Sequence, residues 1–176
     1  MMNLRFKILQ YRRGVFFSTL FVLLFATSGA RAQVAAYAGF SGGPVNGTGV
    51  SAAYGALVGV YAQSGHFISL GGDARGTFLS HNGFHYYTGA VGPRLAVKPP
   101  ILPFRPYVEG LIGVGNFNGG SGTSSSTKLN YQALGGVDFT FFPHLDWRVI
   151  EFAYSATSGS PVNAKIFTTG LVLRLW

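Results

Sequence analysis

From Gln33 onward, apolar and polar residues alternate with a period of two, in segments of about ten residues broken by Gly, Pro, Asn and Ser. Helical periodicity is absent from this part of the chain. Eight segments follow one another: Val34–Ser41, Val50–Ala62, His66–Phe78, Phe84–Val97, Phe104–Phe117, Leu129–Phe141, Leu145–Ser155 and Ala164–Trp176. In Leu129–Phe141 one face reads Tyr131, Ala133, Gly135, Val137, Phe139, Phe141. The other reads Asn130, Gln132, Leu134, Gly136, Asp138, Thr140. His66–Phe78 repeats the pattern, with Ile68, Leu70, Gly72, Ala74, Gly76 and Phe78 opposite Ser69, Gly71, Asp73, Arg75 and Thr77. An even number of strands, each long enough to cross a bilayer at a tilt, predicts an all-β, eight-stranded antiparallel up-and-down transmembrane barrel.

Charge decides which face points outward. In a soluble, lipocalin-like barrel with an apolar ligand cavity, the charged face would meet water; in a membrane barrel the faces are reversed. The chain is 48% hydrophobic and only 10% charged, too little charge to coat a soluble surface. Asp73, Glu109, Asp138 and Glu151 all fall at mid-strand, where a carboxylate facing lipid costs several kcal/mol. Facing a lumen beside Arg75, Arg94 and Arg174, the same groups can pair. The apolar face is therefore expected to face lipid.

The N-terminus has another role. A basic stretch holding Arg5, Lys7, Arg12 and Arg13 precedes the apolar run VFFSTLFVLLFATS, and Ala30-Arg31-Ala32 closes it with small residues at both specificity positions. This is the build of a secretory signal peptide, residues 1–32, with the barrel domain at 33–176. A retained transmembrane anchor is the alternative, but the run is short for one. Five of the thirteen basic residues belong to the leader, leaving eight against five acidic residues. The high pI is thus mostly a leader property, and nucleic acid is not an expected partner.

With the N-terminus in the periplasm, the inner connections are Gln63–Gly65, Lys98–Pro103 and Pro143–His144. The outer ones are 42–49, 79–83, 118–128 and 156–163, mostly longer and rich in Gly and Ser. Loops 42–49, 118–128 and 156–163 are candidates for an external ligand. Phe40, Phe78, Phe104, Phe117, Phe142, Trp147, Phe167 and Trp176 lie near segment ends and are expected in interfacial belts; the alternative is a soluble core. An eight-stranded lumen is just wide enough for side chains to fill. A polar plug is expected there, with Arg94 and Glu109 as one ion pair and Asp73, Arg75, Asp138, Glu151 and Arg174 as the remainder.

The segments VGPRLAV (91–97), RPYVEGLIGVG (105–115), ALGGVDFTF (133–141), RVIEFAYS (148–155) and TGLVLRLW (169–176) resemble, in order and spacing, strands of the small bacterial outer-membrane β-barrel family, the OmpA-like, porin-family eight-stranded domain. The resemblance implies a Gram-negative outer-membrane location among lipid. It also implies a last strand read by the barrel-assembly machinery through Gly170, Leu173, Leu175 and Trp176. Leu173 stands where the family commonly has an aromatic, and Trp176 lies one residue past the usual end. No peptidoglycan-binding domain follows the barrel, so a cell-wall tether is not expected.

Other chemistry is sparse. The chain has no cysteine, and its four histidines lack metal-ligand spacing, so neither cofactor nor metal is expected. Ser80 with His81 and His85 places a nucleophile near a base in sequence, without an orienting acid nearby or a G-x-S-x-G context. No enzymatic activity is expected. Three roles remain open: a structural or surface-interaction barrel, a narrow channel for small solutes or ions, and a lipid-modifying enzyme.

Overall fold

The computed structural model describes residues 32–47, 51–118 and 126–175. Among the described residues nine strands occur in order: β1 (Gln33–Gly43), β2 (Val45–Asn46), β3 (Ala53–Ser64), β4 (Ile68–His81), β5 (Phe84–Val97), β6 (Phe104–Asn118), β7 (Ser126–Phe142), β8 (Leu145–Thr157) and β9 (Asn163–Arg174). The eight long strands pair antiparallel with their sequence neighbours, and β1 also pairs with β9 through Ala35↔Arg174 to Gly42↔Phe167. The sheet therefore closes into an eight-stranded up-and-down barrel. Closure removes the free edges that a membrane cannot hydrate. The two-residue β2 adds a short pairing to β9 at the outer end.

The alternation sorts into two environments. Val58, Val60, Leu70, Val91, Val108, Ile112, Ile150 and Leu171 are exposed on the outward face. All five acidic residues of the chain, Asp73, Glu109, Asp138, Asp146 and Glu151, are buried in the lumen. The polar face thus turns inward, and the arrangement is not that of a soluble lipocalin-like barrel.

The outer connection at 79–83 is shorter than expected. Strands β4 and β5 continue to His81 and Phe84, leaving only Asn82 and Gly83 as a turn. Both take positive φ, 46° and 81°, which suits the right-handed twist of the flanking strands and is the reason Asn-Gly closes tight hairpins. At the inner end the connections are Gly65–Phe67, Lys98–Pro103 and Pro143–His144, between the strand limits.

Candidate functional site

The lumen is filled by four layers of side chains. At its centre, three arginines meet four carboxylates. Arg75, on β4, donates to Asp73 (3.1 Å), to Glu109 on β6 (2.7 Å) and to Glu151 across the barrel on β8 (2.6 Å). Arg94 on β5 pairs with Glu109, its neighbour in the β5–β6 register, and reaches Asp138 on β7 at 3.1 Å. Arg148 joins Asp138 (3.1 Å) to Glu151 (3.0 Å). Each carboxylate is thereby paired, which offsets the desolvation of burying it.

Tyrosines complete the cluster. Tyr37 donates to Asp73 at 2.8 Å and Tyr107 donates to Glu151 at 2.7 Å. The Arg94 guanidinium stacks between Tyr61 (4.2 Å) and Tyr107 (3.8 Å), and that of Arg148 lies 4.1 Å from the Tyr37 ring. These are cation–π contacts away from water, where they are strongest. Glycine makes the room: a Cβ on Gly136 would stand 2.6 Å from the Tyr107 hydroxyl. Gly136→Val is expected to force Tyr107 off Glu151 and destabilise the barrel by about 1–3 kcal/mol. The urea midpoint of refolded protein in lipid vesicles checks this, with Tyr107→Phe as the smaller reference change.

A local irregularity on β8 assembles this centre. The β8–β9 register shifts between Arg148 and Glu151, leaving Val149 and Ile150 as a bulge. Arg148 and Glu151 consequently both face the lumen, although strict alternation would place them on opposite sides. Arg148 was missed by the sequence reading for this reason. The available signal was the pair of charges flanking Val149-Ile150, neither of which can face lipid cheaply.

Above the charged centre lies a neutral polar layer. Asn130 Nδ2 donates to Ser155 (2.9 Å), Tyr86 bonds Ser155 (2.8 Å), and Gln132 donates to Thr88 (3.1 Å). The outermost layer is apolar, built on Val45, Ala53, Leu79, Phe84, Val162 and Ile166. Phe117 packs against this cluster, so it is not an interfacial residue. Its place in the alternation with Leu111, Gly113 and Gly115 points it inward. Phe40, Phe78, Phe104, Phe142, Trp147 and Phe167 are exposed on the outward face near strand ends. Trp176 lies outside the described residues, as does most of loop 118–128. Leu171 and Leu173 face outward, and Gly170 sits opposite Gly39 at the closing seam.

The fourth layer of the lumen is at the inner mouth and holds Arg174. Its Nε lies 3.1 Å from Asp146, a carboxylate that also accepts from Thr140 (2.6 Å) and faces Arg105 at 3.6 Å. Arg174 is near the end of β9, one layer inward of Arg148, too far along the strand axis to join Glu151. Asp146 and Arg105 were not anticipated, since both sit close to turns. Lys98 donates to Gln33 at 2.7 Å. Burial and then the charges of Arg105 and Arg174 pull the Lys98 ammonium down to about 8. Above that pH the unfolded chain holds this proton and the folded one does not, so stability rises with pH toward the ordinary lysine range. Wild type should therefore gain on Lys98→Met as pH increases from about 8 to 10; a gap in urea midpoint that stays constant would contradict this.

Ser80 and His85 are partners in the β4–β5 register, both on the outward face, and the His85 Nδ1 lies 3.3 Å from the Tyr87 hydroxyl. With all five carboxylates in the lumen, none is placed to orient His85. His81 stacks edge-on against Tyr54 instead. Among the described residues no cluster of His, Asp or Glu could hold a metal ion.

A closed eight-stranded barrel with an apolar exterior and a packed, charged interior defines the small membrane-spanning β-barrels. Solved structures with this fold include the neisserial surface protein A, 15% identical over 82% of this chain and 97% of that one, with a TM-score of 0.54. The attachment invasion locus protein Ail of Yersinia pestis is 16% identical over 82% and 99%, also with a TM-score of 0.54. The N-terminal β-barrel domain of Pseudomonas aeruginosa OprF is 12% identical over 81% and 100%, with a TM-score of 0.53. At these identities the likeness is one of fold. No protein-family model matches the chain, and no curated protein matches it in sequence.

Proposed function

We propose that the chain is exported by its leader and resides in the bacterial outer membrane as a structural or surface-interaction barrel that does not conduct. The observation that carries this is the filled lumen. Arg75 reaches Glu151 on the opposite wall, Arg94 and Arg148 join it through shared carboxylates, and an apolar layer closes the outer end above them. The loops at 42–49, 118–128 and 156–163 would meet an external ligand, and β9 would carry the address for the assembly machinery. In planar bilayers the purified barrel is expected to give no unitary conductance; stable steps at neutral pH would replace this reading with a channel. Exchange of loop 118–128 for a short turn is expected to abolish surface binding while leaving folding intact.

An enzymatic reading has one observation behind it, the Ser80–His85 juxtaposition. It lacks the carboxylate that holds a catalytic imidazole in its working tautomer. Ser80→Ala is expected to leave lipid composition unchanged.

A further inference from the structure

The inner mouth of the lumen holds two cations, Arg105 and Arg174, against a single carboxylate, Asp146, and a third, Lys98, on Gln33 of β1, the strand that pairs with the end of β9 bearing Arg174. We propose that this mouth is a binding site for a phosphate-class anion, supplied either as a soluble phosphate or as the phosphodiester headgroup of an inner-leaflet phospholipid.

The charge distribution carries the inference. Elsewhere in the lumen each cation is matched: Arg75, Arg94 and Arg148 face four carboxylates, each of them engaged. At the mouth the ratio reverses. That excess is not spread over solvent, because the Arg174 side chain is only 14% exposed and that of Arg105 only 24%. Cations held this close in a half-buried place repel one another, and the depressed titration of Lys98 reflects its burial first and then the charges of Arg105 and Arg174. The donors are also incompletely used. Arg174 Nε approaches Asp146 without the alignment of a hydrogen bond, and Gln33 Nε2 is buried with no partner.

A phosphate-class anion fits this place chemically. Two guanidinium forks and one ammonium offer N–H donors to the non-bridging oxygens of a tetrahedral phosphate, two in a phosphodiester and more in a free phosphate. One carboxylate already there fixes Arg174 and Arg105 without neutralising the set. Both arginines keep some exposure at this mouth, and with the N-terminus in the periplasm this end of the lumen faces the periplasm, from which the anion would enter. A lipid source is plausible in geometry because the connection that bears Lys98 also carries Ile101, 91% exposed, and leads into the outward-facing Phe104. An acyl chain could lie along these while its phosphate reached the cations.

The test uses the folded barrel in octyl glucoside, which contains no phosphate, and follows backbone amide shifts as inorganic phosphate is added at constant ionic strength with chloride. Saturable shifts confined to residues around 33, 98, 105, 146 and 174 are expected. A second titration adds phosphatidylglycerol to the micelles. Saturation by phosphate alone supports a soluble anion, saturation by the lipid alone supports a headgroup, and either sustains the site. Arg105→Gln should weaken binding at least about tenfold, one charge-assisted contact. Lys98→Met, whose side chain lies outside the Asp146 pairings, serves if Arg105→Gln fails to fold. Shifts that grow linearly with both ligands, or saturation that both variants leave unchanged, would overturn the proposal.

Discussion

Arg75→Met is expected to destabilise the folded barrel by about 3–5 kcal/mol, the cost of removing one partner from a buried ionic cluster. Arg75 is the residue that ties β4 to β6 and β8, and its loss leaves Asp73, Glu109 and Glu151 sharing fewer donors. Urea unfolding of protein inserted in lipid vesicles reads the change. Adding Asp73→Asn to Arg75→Met should recover part of the loss, since Arg75 is the cation paired with Asp73, whereas Glu109 keeps Arg94 and Glu151 keeps Arg148. The Arg94–Glu109 pair gives a matched control: Arg94→Ala should cost more in wild type than in a Glu109→Ala background, with a coupling of roughly 0.5–3 kcal/mol. A cost for Arg75→Met under about 1 kcal/mol, typical of solvated pairs, would mean that the lumen is wet and the network screened.

Ile112→Arg is expected to destabilise the barrel by about 2–4 kcal/mol in a bilayer, because Ile112 faces outward near the middle of β6 and the new charge would sit in hydrocarbon. Ser80→Arg, also outward but close to the outer end of β4, should cost only about 0–1 kcal/mol. The gradient between the two positions is the signature of a lipid-facing surface. In a barrel standing in water both substitutions would be nearly neutral, and equal small costs would reverse the assignment of the faces.

Strand number and the division of each strand into two faces are legible from period two, since Leu129–Phe141 and His66–Phe78 separate cleanly into a small or polar side and an apolar one. The scarcity of charge then settled which side meets lipid. The rule failed where the backbone departs from regular pleating. The β8 bulge brings Arg148 in with Glu151, and no period-two count finds it. Asn82-Gly83 falls within the expected loop 79–83, although its residue types suit the two-residue turn that the structure shows. Contacts across the lumen, such as Arg75 to Glu151, were beyond reach for a different reason. Which layers meet across a barrel depends on strand stagger, a global property that adjacent residues do not encode. Arg174 is in the lumen network as expected of it, but its partner there, Asp146, follows a turn and escapes the period-two count.

The most direct measurement is the gel mobility of the mature protein, boiled and unboiled, from a washed outer-membrane fraction. A closed barrel with a lipid-facing exterior predicts that the protein is in that fraction and migrates differently before and after boiling. A protein recovered in the soluble periplasm, with one mobility regardless of heating, would contradict the account.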